Sequence, residues 1–269
     1  MKIKEKKAKS VITKSNLPNA DFVINPYIGC QHACKYCYAE FLRRFTGHSG
    51  EEWGSFVDVK INAPDTIDTS KIKKEDLILI GSVTDPYQPV EAKYALTKKC
   101  LERLLDVQPK LEILTKSLLI LRDINLLKKF KTLKIGVSIG ILDEYYAKQL
   151  EPYVASPTQR LKVLRKLHEV GIFVYLFVSP IFPEISNIST LIDLAKNHTD
   201  EMLFENLNIR ANNKNMILKF IEKNRPELKN SYIELSKNER YWWRSQLAII
   251  EQCEKEKIKY KIYFNHNKK

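Results

Sequence analysis

The sequence predicts an α/β fold: a partial (β/α)6 TIM-type barrel with parallel strands, followed by C-terminal helices and a closing strand. Short runs that are apolar throughout alternate with amphipathic helical segments, which is typical of a parallel sheet covered by helices. Polar clusters directly follow these runs, and in parallel α/β folds the carboxyl ends of the strands meet at one ligand-binding mouth. Six strand–helix units are too few for a closed eightfold barrel.

The predicted elements follow from hydrophobic periodicity and from turn residues at their ends. The six barrel strands are expected at residues 22–24, 77–82, 111–115, 133–138, 172–178 and 202–206. Helices with apolar residues at helical spacing are expected at 92–105, 118–130, 157–170 and 190–197. A short helix at 39–45 and a strand at 56–61 follow the first barrel strand. Pro180 and Pro183 are expected to break the fifth one.

Composition divides the chain into three expected parts, which are a basic N-terminal arm (1–20), the barrel (21–212) and a C-terminal helical extension packed on it (213–269). The arm has six lysines against one acidic residue and little apolar periodicity. It is therefore expected to be a mobile arm or an edge segment, with a disordered terminus slightly favoured.

The extension should contain a helix at 238–254 and a closing strand at 259–264 whose polar and apolar residues alternate. Tyr241, Trp242 and Trp243 lie at helical spacing from Leu247 and Ile250. This spacing favours core packing over a platform on which bases stack.

Charge and composition limit the class of protein. The 269 residues are 44% hydrophobic and carry a formal net charge of +13. A basic balance is expected of a nucleic-acid binder, but lysines scattered over every helix describe an ordinary solvated surface equally well. No apolar run is long enough to span a membrane, and no secretory signal precedes the domain. The lack of such a run predicts that the protein has no membrane partner. The clustered cysteines must stay reduced, which predicts a cytoplasmic protein.

Three of the five cysteines, Cys30, Cys34 and Cys37, lie within eight residues in the spacing C-x3-C-x2-C. This cluster is too compact for a disulfide framework, and soft thiolates select zinc, Cu(I) or iron–sulfur clusters. A structural zinc ion would need a fourth ligand, such as His32 or a remote residue. Three cysteines on a [4Fe–4S] cluster would leave one iron open. The iron–sulfur interpretation is favoured because His32 lies where its ring would strain a shared tetrahedron.

This spacing, with an aromatic residue before the last cysteine, is similar to the signature of the radical S-adenosylmethionine (radical SAM) superfamily. Further stretches resemble its spore photoproduct lyase-like branch, often labelled "DNA repair photolyase". They lie at residues 25–39, 81–91, 115–123, 138–139, 150–161 and 178–183. The resemblance covers roughly residues 22 to 208. It is specific for the superfamily and does not identify a substrate.

The resemblance implies that Cys30, Cys34 and Cys37 hold a [4Fe–4S] cluster whose open iron is chelated by S-adenosylmethionine (SAM). One electron would then cleave SAM to methionine and a 5′-deoxyadenosyl radical, which takes a hydrogen atom from the substrate. The substrate is expected to be a nucleic acid or a protein side chain, and the electron donor a protein such as flavodoxin or ferredoxin. The residues expected to bind SAM are Tyr36, Tyr38, Ser82, Thr84, Asp85, Lys116, Ser138 and Arg160.

Each of these residues also has a structural interpretation. Ser82, Thr84 and Asp85 follow a strand where SAM's ammonium would be received, yet Thr-Asp-Pro also favours turns. Arg160 could pair with SAM's carboxylate or with Glu151.

Four further assignments share this ambiguity. Lys116 could meet that carboxylate or a substrate phosphate, or be a solvated surface lysine. Ser138 would contact the ribose or be a plain strand-end serine. Tyr36 and Tyr38 would pack beside adenine or in the core.

Two competing functions remain. The first is a non-catalytic nucleic-acid-binding protein with a structural metal site and a lysine-rich arm. The second, a strict spore photoproduct lyase, is disfavoured because Val83 stands where that enzyme has its hydrogen-donating cysteine. Cys100 and Cys253 are expected to be packed thiols rather than donors. No catalytic residue can be assigned from the sequence.

Overall fold

A computed structural model describes residues 1–17, 20–235 and 239–264 of the chain. Its strands are β1 (Lys2–Lys6), β2 (Ile12–Lys14), β3 (Phe22–Ile24), β4 (Tyr27–Ile28), β5 (Phe56–Lys60), β6 (Leu77–Ile80), β7 (Lys110–Thr115), β8 (Leu133–Ser138), β9 (Phe173–Ile181), β10 (Glu201–Asn206) and β11 (Tyr260–Tyr263). Its α-helices are α1 (Glu91–Tyr94), α2 (Leu96–Leu104), α3 (Ile124–Leu127), α4 (Glu144–Leu150), α5 (Pro157–Glu169), α6 (Ile188–Ala195), α7 (Lys214–Asn224), α8 (Lys229–Glu234) and α9 (Glu239–Lys255). Short 3-10 helices lie at Tyr38–Phe45, Pro64–Thr66, Thr69–Lys71, Leu118–Asp123 and Pro226–Leu228.

The main sheet has eight strands in the order β11-β10-β9-β8-β7-β6-β3-β2. All neighbours run parallel except β2, which pairs antiparallel with β3. The six predicted barrel strands are therefore adjacent in chain order, and β11 closes the sheet beside β10. Aligned residues such as Ile24, Ile80 and Ile113 are fully buried, as expected of a sheet covered on both faces. The predicted α/β partial barrel with parallel strands is confirmed.

The N-terminal segment is ordered, so the expectation of a disordered terminus is wrong for residues 2–6 and 12–14. β1 pairs in parallel with β5, which also pairs antiparallel with β4, and these strands form a second sheet of three strands. β2 lies at the edge of the main sheet. The backbone of β1 is paired, while its side chains, among them its lysines, are largely exposed. The division of the chain at residues 20 and 212 stays a prediction.

Two predicted helices are interrupted. The segment 92–105 divides into α1 and α2 because Ala95 between them adopts a left-handed conformation, with φ of 51°. The segment 118–130 begins as a 3-10 helix before the single turn of α3. The segment after the cysteines is also a 3-10 helix rather than an α-helix. The sequence did not predict α4, whose first turn is capped by the side chain of Asp143.

The fifth barrel strand does not end before Pro180, as predicted, but continues to Ile181. The pairing of β9 with β10 shifts in register between Phe204 and Asn206. Pro180 therefore lies at an irregularity in the ladder, where its missing N–H breaks no regular pairing.

The C-terminal aromatic cluster is only partly buried. Trp242 packs edge-on against Phe264, with ring centroids 5.3 Å apart, but Trp243 and Leu247 are exposed. Successive helical residues point about 100° apart, so both tryptophans cannot face the core. The prediction of core packing is therefore wrong for Trp243. The predicted start of this helix, at Asn238, lies outside the described residues.

No α-helix in the described ranges is both long and apolar enough to cross a membrane.

Candidate active site

The cysteine loop leaves β3 and is held against the small sheet. Within it, Ile28 of β4 pairs with Asp58 of β5. Gly29 then has a φ of +85°, and a Cβ atom there would lie 2.5 Å from the carbonyl oxygen of Phe56. Only glycine permits this close approach and this conformation together. The loop is therefore turned sharply just before Cys30.

All three clustered cysteines are free thiols in a largely dry environment. Cys30 and Cys34 are 7% and 8% exposed, and Cys37 is partly buried. Burial raises the pKa of Cys30 to about 12, and the charge of Asp85 adds to this effect. Burial also raises the pKa of Cys34 and of Cys37, although the ammonium of Lys116 acts in the opposite direction on both. Without a metal, the thiols are therefore protonated at neutral pH.

These raised pKa values predict slow alkylation of the metal-free protein. Iodoacetamide attacks the thiolate, so labelling of Cys30 should be slow at pH 7 and should accelerate as the pH rises toward about 12. Mass spectrometry of labelled peptides measures the rates, and the same protein unfolded in guanidinium at each pH is the control. Labelling of folded and unfolded protein at equal rates at pH 7 would contradict the assigned environment.

The donor set fits a cluster better than a single ion. Among the described residues, no group of three or more His, Cys, Asp or Glu side chains converges on one metal position. A zinc site requires such convergence, whereas each cysteine of a [4Fe–4S] cluster binds a different iron. His32, the proposed fourth zinc ligand, instead places its Nδ1 3.3 Å from Oδ2 of Asp85. This pairing leaves Nε2 of His32 free, but among the described residues His32 and the cysteines do not converge on one metal position.

The turn after β6 is hydrogen-bonded to the cysteine loop. The Thr84 hydroxyl donates to the carbonyl oxygen of Gly29 at 2.6 Å. Gln88 is fully buried, and its Nε2 donates to the same carbonyl oxygen at 3.2 Å. Its Oε1 accepts a hydrogen bond from the backbone N–H of Gln31 at 2.9 Å. Thr84 thus binds the loop itself, which supports its structural interpretation. Gln88 was not predicted, although its position in the proline-rich turn was a usable signal.

Asp85 joins three segments of the site. Its carboxylate accepts hydrogen bonds from the Thr115 hydroxyl at 2.7 Å and from the Lys116 amide at 2.8 Å, and it pairs with His32. Burial alone would raise its pKa, but the charge and hydrogen bond of His32 together with these donors hold it below the usual value. The ionised carboxylate therefore ties the ends of β6 and β7 to the cysteine loop.

Ser82 and Tyr38 meet at the rim of the mouth. The Tyr38 hydroxyl donates to the Ser82 carbonyl oxygen, and Asn25 donates from Nδ2 to the Ser82 hydroxyl at 3.0 Å. Asn25 also accepts from the Val83 amide at 3.3 Å. Tyr38 is 50% exposed, so its alternative placement in the core is wrong.

Arg160 forms the ion pair with Glu151 that its structural interpretation predicted. Its guanidinium donates to Glu151 and to the Ser138 carbonyl oxygen, the latter at 2.7 Å. Tyr36 donates its hydroxyl to the other oxygen of Glu151. Burial alone would raise the pKa of Glu151, but Arg160 and Lys116 hold it below its usual value. A buried ion pair thus anchors Tyr36 behind the cysteines.

The remaining two predicted residues differ in exposure. Ser138 is almost fully buried and donates to the Ser179 carbonyl oxygen at 3.2 Å. Lys116 is half-buried, with its Nζ 5.9 Å from the Tyr36 ring centroid. Burial would lower its pKa, but the neighbouring Cys34 and Glu151 raise it above the usual value. Lys116 therefore stays charged beside the Tyr36 ring, and because it is half-buried it is not a fully solvated surface lysine.

Comparison with known proteins identifies the family of this chain. Residues 24–196 match the model of the Radical SAM superfamily. The chain belongs to the radical SAM superfamily. It is 40% identical over 221 residues to the uncharacterized protein MJ0683 of Methanocaldococcus jannaschii, covering 82% of this chain and 83% of that protein. It is 37% identical over 171 residues to the uncharacterized protein ORF301 of Acidianus two-tailed virus, covering 60% and 56%.

The fold is similar to that of spore photoproduct lyase complexed with dinucleoside spore photoproduct. The TM-score is 0.61 at 18% identity, and the match covers 83% of this chain and 66% of the lyase. A mutant of that lyase with bound AdoMet and dinucleoside spore photoproduct gives a TM-score of 0.62 at 17% identity. At these identities the likeness shows the fold alone. Membership of the superfamily implies an enzyme with a [4Fe–4S] cluster and SAM.

Proposed function

We propose that this chain is an enzyme that holds a [4Fe–4S] cluster on Cys30, Cys34 and Cys37 and cleaves SAM reductively to generate a 5′-deoxyadenosyl radical. The observation that carries the proposal is the set of three free thiols in one loop that follows β3, beside Lys116 and the buried Arg160–Glu151 ion pair. A cluster held by these cysteines would supply the electron that cleaves SAM to methionine and that radical, and the radical would then take a hydrogen atom from the substrate.

The side chains of the mouth have distinct roles in this proposal. Both terminal nitrogens of Arg160 are engaged, whereas Lys116 Nζ makes no hydrogen bond or ion pair with the described residues. Lys116 is therefore the group proposed to bind the SAM carboxylate. Ser82 and Tyr38 form the open rim, where the ammonium and the adenine would lie. Arg160, Glu151 and Tyr36 keep the floor of the site rigid and dry.

Two kinds of partner follow from this chemistry. Each cleavage consumes one electron, so a low-potential donor such as flavodoxin or ferredoxin is proposed. The substrate is proposed to be a nucleic acid or a protein side chain, and the net charge of +13 supports a polyanion. The requirement for reduced thiols supports a cytoplasmic location.

Anaerobic reconstitution with iron and sulfide tests the proposal. We expect about four irons per chain, as a [4Fe–4S] cluster requires, together with an absorbance that dithionite bleaches and release of 5′-deoxyadenosine when SAM is added. One zinc per chain, with no iron taken up, would instead support the non-catalytic nucleic-acid-binding protein. A fully loaded cluster that yields no 5′-deoxyadenosine would overturn the proposed activity.

Repair of a thymine photoproduct by a thiol route is not expected. Val83 has its amide bound to Asn25, and the two cysteines outside the cluster, Cys100 and Cys253, are fully buried in α2 and α9. No thiol is therefore placed to return a hydrogen atom at the mouth. Irradiated DNA incubated with reduced enzyme and SAM should give no recovered thymine by chromatography. Thymine recovery in proportion to enzyme would contradict this prediction.

A further inference from the structure

The 3-10 helix that follows the last clustered cysteine carries exposed aromatic side chains. It runs from Tyr38 to Phe45, and residues three apart lie above one another in a 3-10 helix. Phe41 is 38% exposed and Phe45 is 77% exposed, and their rings meet edge to face with centroids 6.3 Å apart. Arg44, three residues after Phe41, is also exposed. Phe41, Arg44 and Phe45 together are called the aromatic face below.

The aromatic face is a contiguous apolar surface rather than a single stray side chain. The residues that this helix buries are Ala39 and Glu40, so the two phenylalanine rings contribute little to the core. Tyr38, which lies one turn before Phe41 on the same side, is exposed as well. Contiguous exposed apolar groups mark surfaces that a partner covers. The aromatic face is therefore a candidate docking surface.

The charge around the aromatic face is positive. Between residues 30 and 47 the chain has three cations, Lys35, Arg43 and Arg44, and one acidic residue, Glu40. Glu40 is buried and paired with Arg43. Lys35 and Arg44 form no ion pair within the described ranges. Complementary charge guides association, so this surface suits an acidic partner.

The position of the helix indicates which acidic partner it suits. Cys37 is the N-cap residue of the helix, and it is partly buried whereas Cys30 and Cys34 are buried. Electron tunnelling falls steeply with distance, so an electron donor must dock beside a ligand that lies near the surface. Interfaces of electron-transfer proteins are also small, as this surface is. A nucleic-acid strand would match the charge, but only a donor requires the nearness to Cys37.

We propose that the aromatic face is the docking site of an acidic electron-transfer protein that reduces the cluster from the side of Cys37. The inference rests on the proposed function, because it needs the cluster. In this step the reduced donor loses one electron and the cluster gains it, and no bond forms or breaks. Apolar surface of the donor covers Phe41 and Phe45, while its carboxylates meet Lys35 and Arg44.

A comparison of protein and small-molecule reductants tests the docking site. Dithionite needs no docking surface, whereas reduced flavodoxin and reduced ferredoxin are acidic proteins that do. With limiting donor protein, stopped-flow bleaching of the cluster absorbance should be about tenfold slower in Phe45→Ala than in the wild type, as expected for loss of an aromatic anchor. Bleaching by dithionite should be unchanged. Arg44→Gln should slow only the donor proteins and weaken the salt dependence of their rates.

Trp243→Ala is the matched control, because Trp243 is an aromatic residue 60% exposed on α9. This variant should be reduced at the wild-type rate by both donor proteins and by dithionite. Equal rates for the wild type and Phe45→Ala with both donor proteins would overturn the inference. Because dithionite still reduces the cluster in that case, the proposed function would stand.

A second measurement needs no variant of the aromatic face. Hydroxyl-radical footprinting of iron-loaded wild-type protein, read by mass spectrometry, should show less oxidation of Phe41 and Phe45 when flavodoxin or ferredoxin is added. Oxidation of Trp243 should not change. Protection by single-stranded oligothymidine but by neither donor would assign the face to a nucleic acid and overturn the inference. Wild-type protein that binds no iron would overturn both the inference and the proposed function.

Discussion

Replacing Cys34 with alanine should abolish both cluster assembly and SAM cleavage. Cys34 is the middle of the three thiols, and its buried side chain lies beside Lys116 and Glu151. With two thiolates left, a cluster would have two open irons and would be poorly retained. We expect iron and 5′-deoxyadenosine to fall to the level of protein-free controls. Iron content, the visible spectrum and chromatography of the reaction mixture measure the effect.

Cys100→Ala provides the matched control. Cys100 is also buried, lies on α2 and packs in the hydrophobic core. This variant should bind iron and cleave SAM as the wild type does, with only a small loss of stability from the missing sulfur. Cys34→Ala protein that keeps a full complement of iron and full turnover would show that this cysteine is not a ligand.

Replacing Arg160 with methionine should lower the free energy of unfolding by about 3–5 kcal/mol, because it leaves a buried carboxylate without its cation. Arg160 and Glu151 are 1% and 3% exposed, so solvent cannot replace the lost partner. Urea unfolding at pH 7 measures the difference. Arg165→Met is the matched control on the solvent side of α5, and it should change stability by less than about 0.5 kcal/mol.

The effect of Arg160→Met should also depend on pH. The pair lowers the pKa of Glu151, so its contribution is complete above the unfolded value of about 4.3 and is lost as the pH falls through the folded value. The difference between wild type and variant should therefore narrow in acid. Equal stabilities of the two proteins at pH 7 would mean that the pair contributes no net stability.

The sequence predicted the sheet well because fully buried parallel strands are short, apolar and bounded by turn residues. Ile24, Ile80 and Ile113 lie in three of these runs and are aligned in adjacent strands. The pairing of β1 was not predicted, since alternating lysines leave no apolar face to indicate a strand. The helix breaks at Ala95 because this residue has a left-handed backbone conformation, and β9 continues through Pro180 because it pairs with β10. No local sequence pattern indicates either feature.

The sequence predicted which residues belong to the candidate site, but it predicted fewer of the contacts between them. The spacing of Cys30, Cys34 and Cys37 is local, and it predicts the cluster ligands directly; this assignment stays a prediction. The alternatives for Arg160 could not be separated by sequence, because a guanidinium suits either carboxylate and only the fold shows the pair with Glu151.

The most direct test of the central claim is the stoichiometry of SAM cleavage by reconstituted, dithionite-reduced protein. The account predicts 5′-deoxyadenosine and methionine in equal amounts, one electron consumed for each pair, and no product without the reductant. Cys100→Ala should match the wild type, and Cys34→Ala should give none. Intact SAM after incubation with a fully loaded and fully reduced [4Fe–4S] protein would contradict the account.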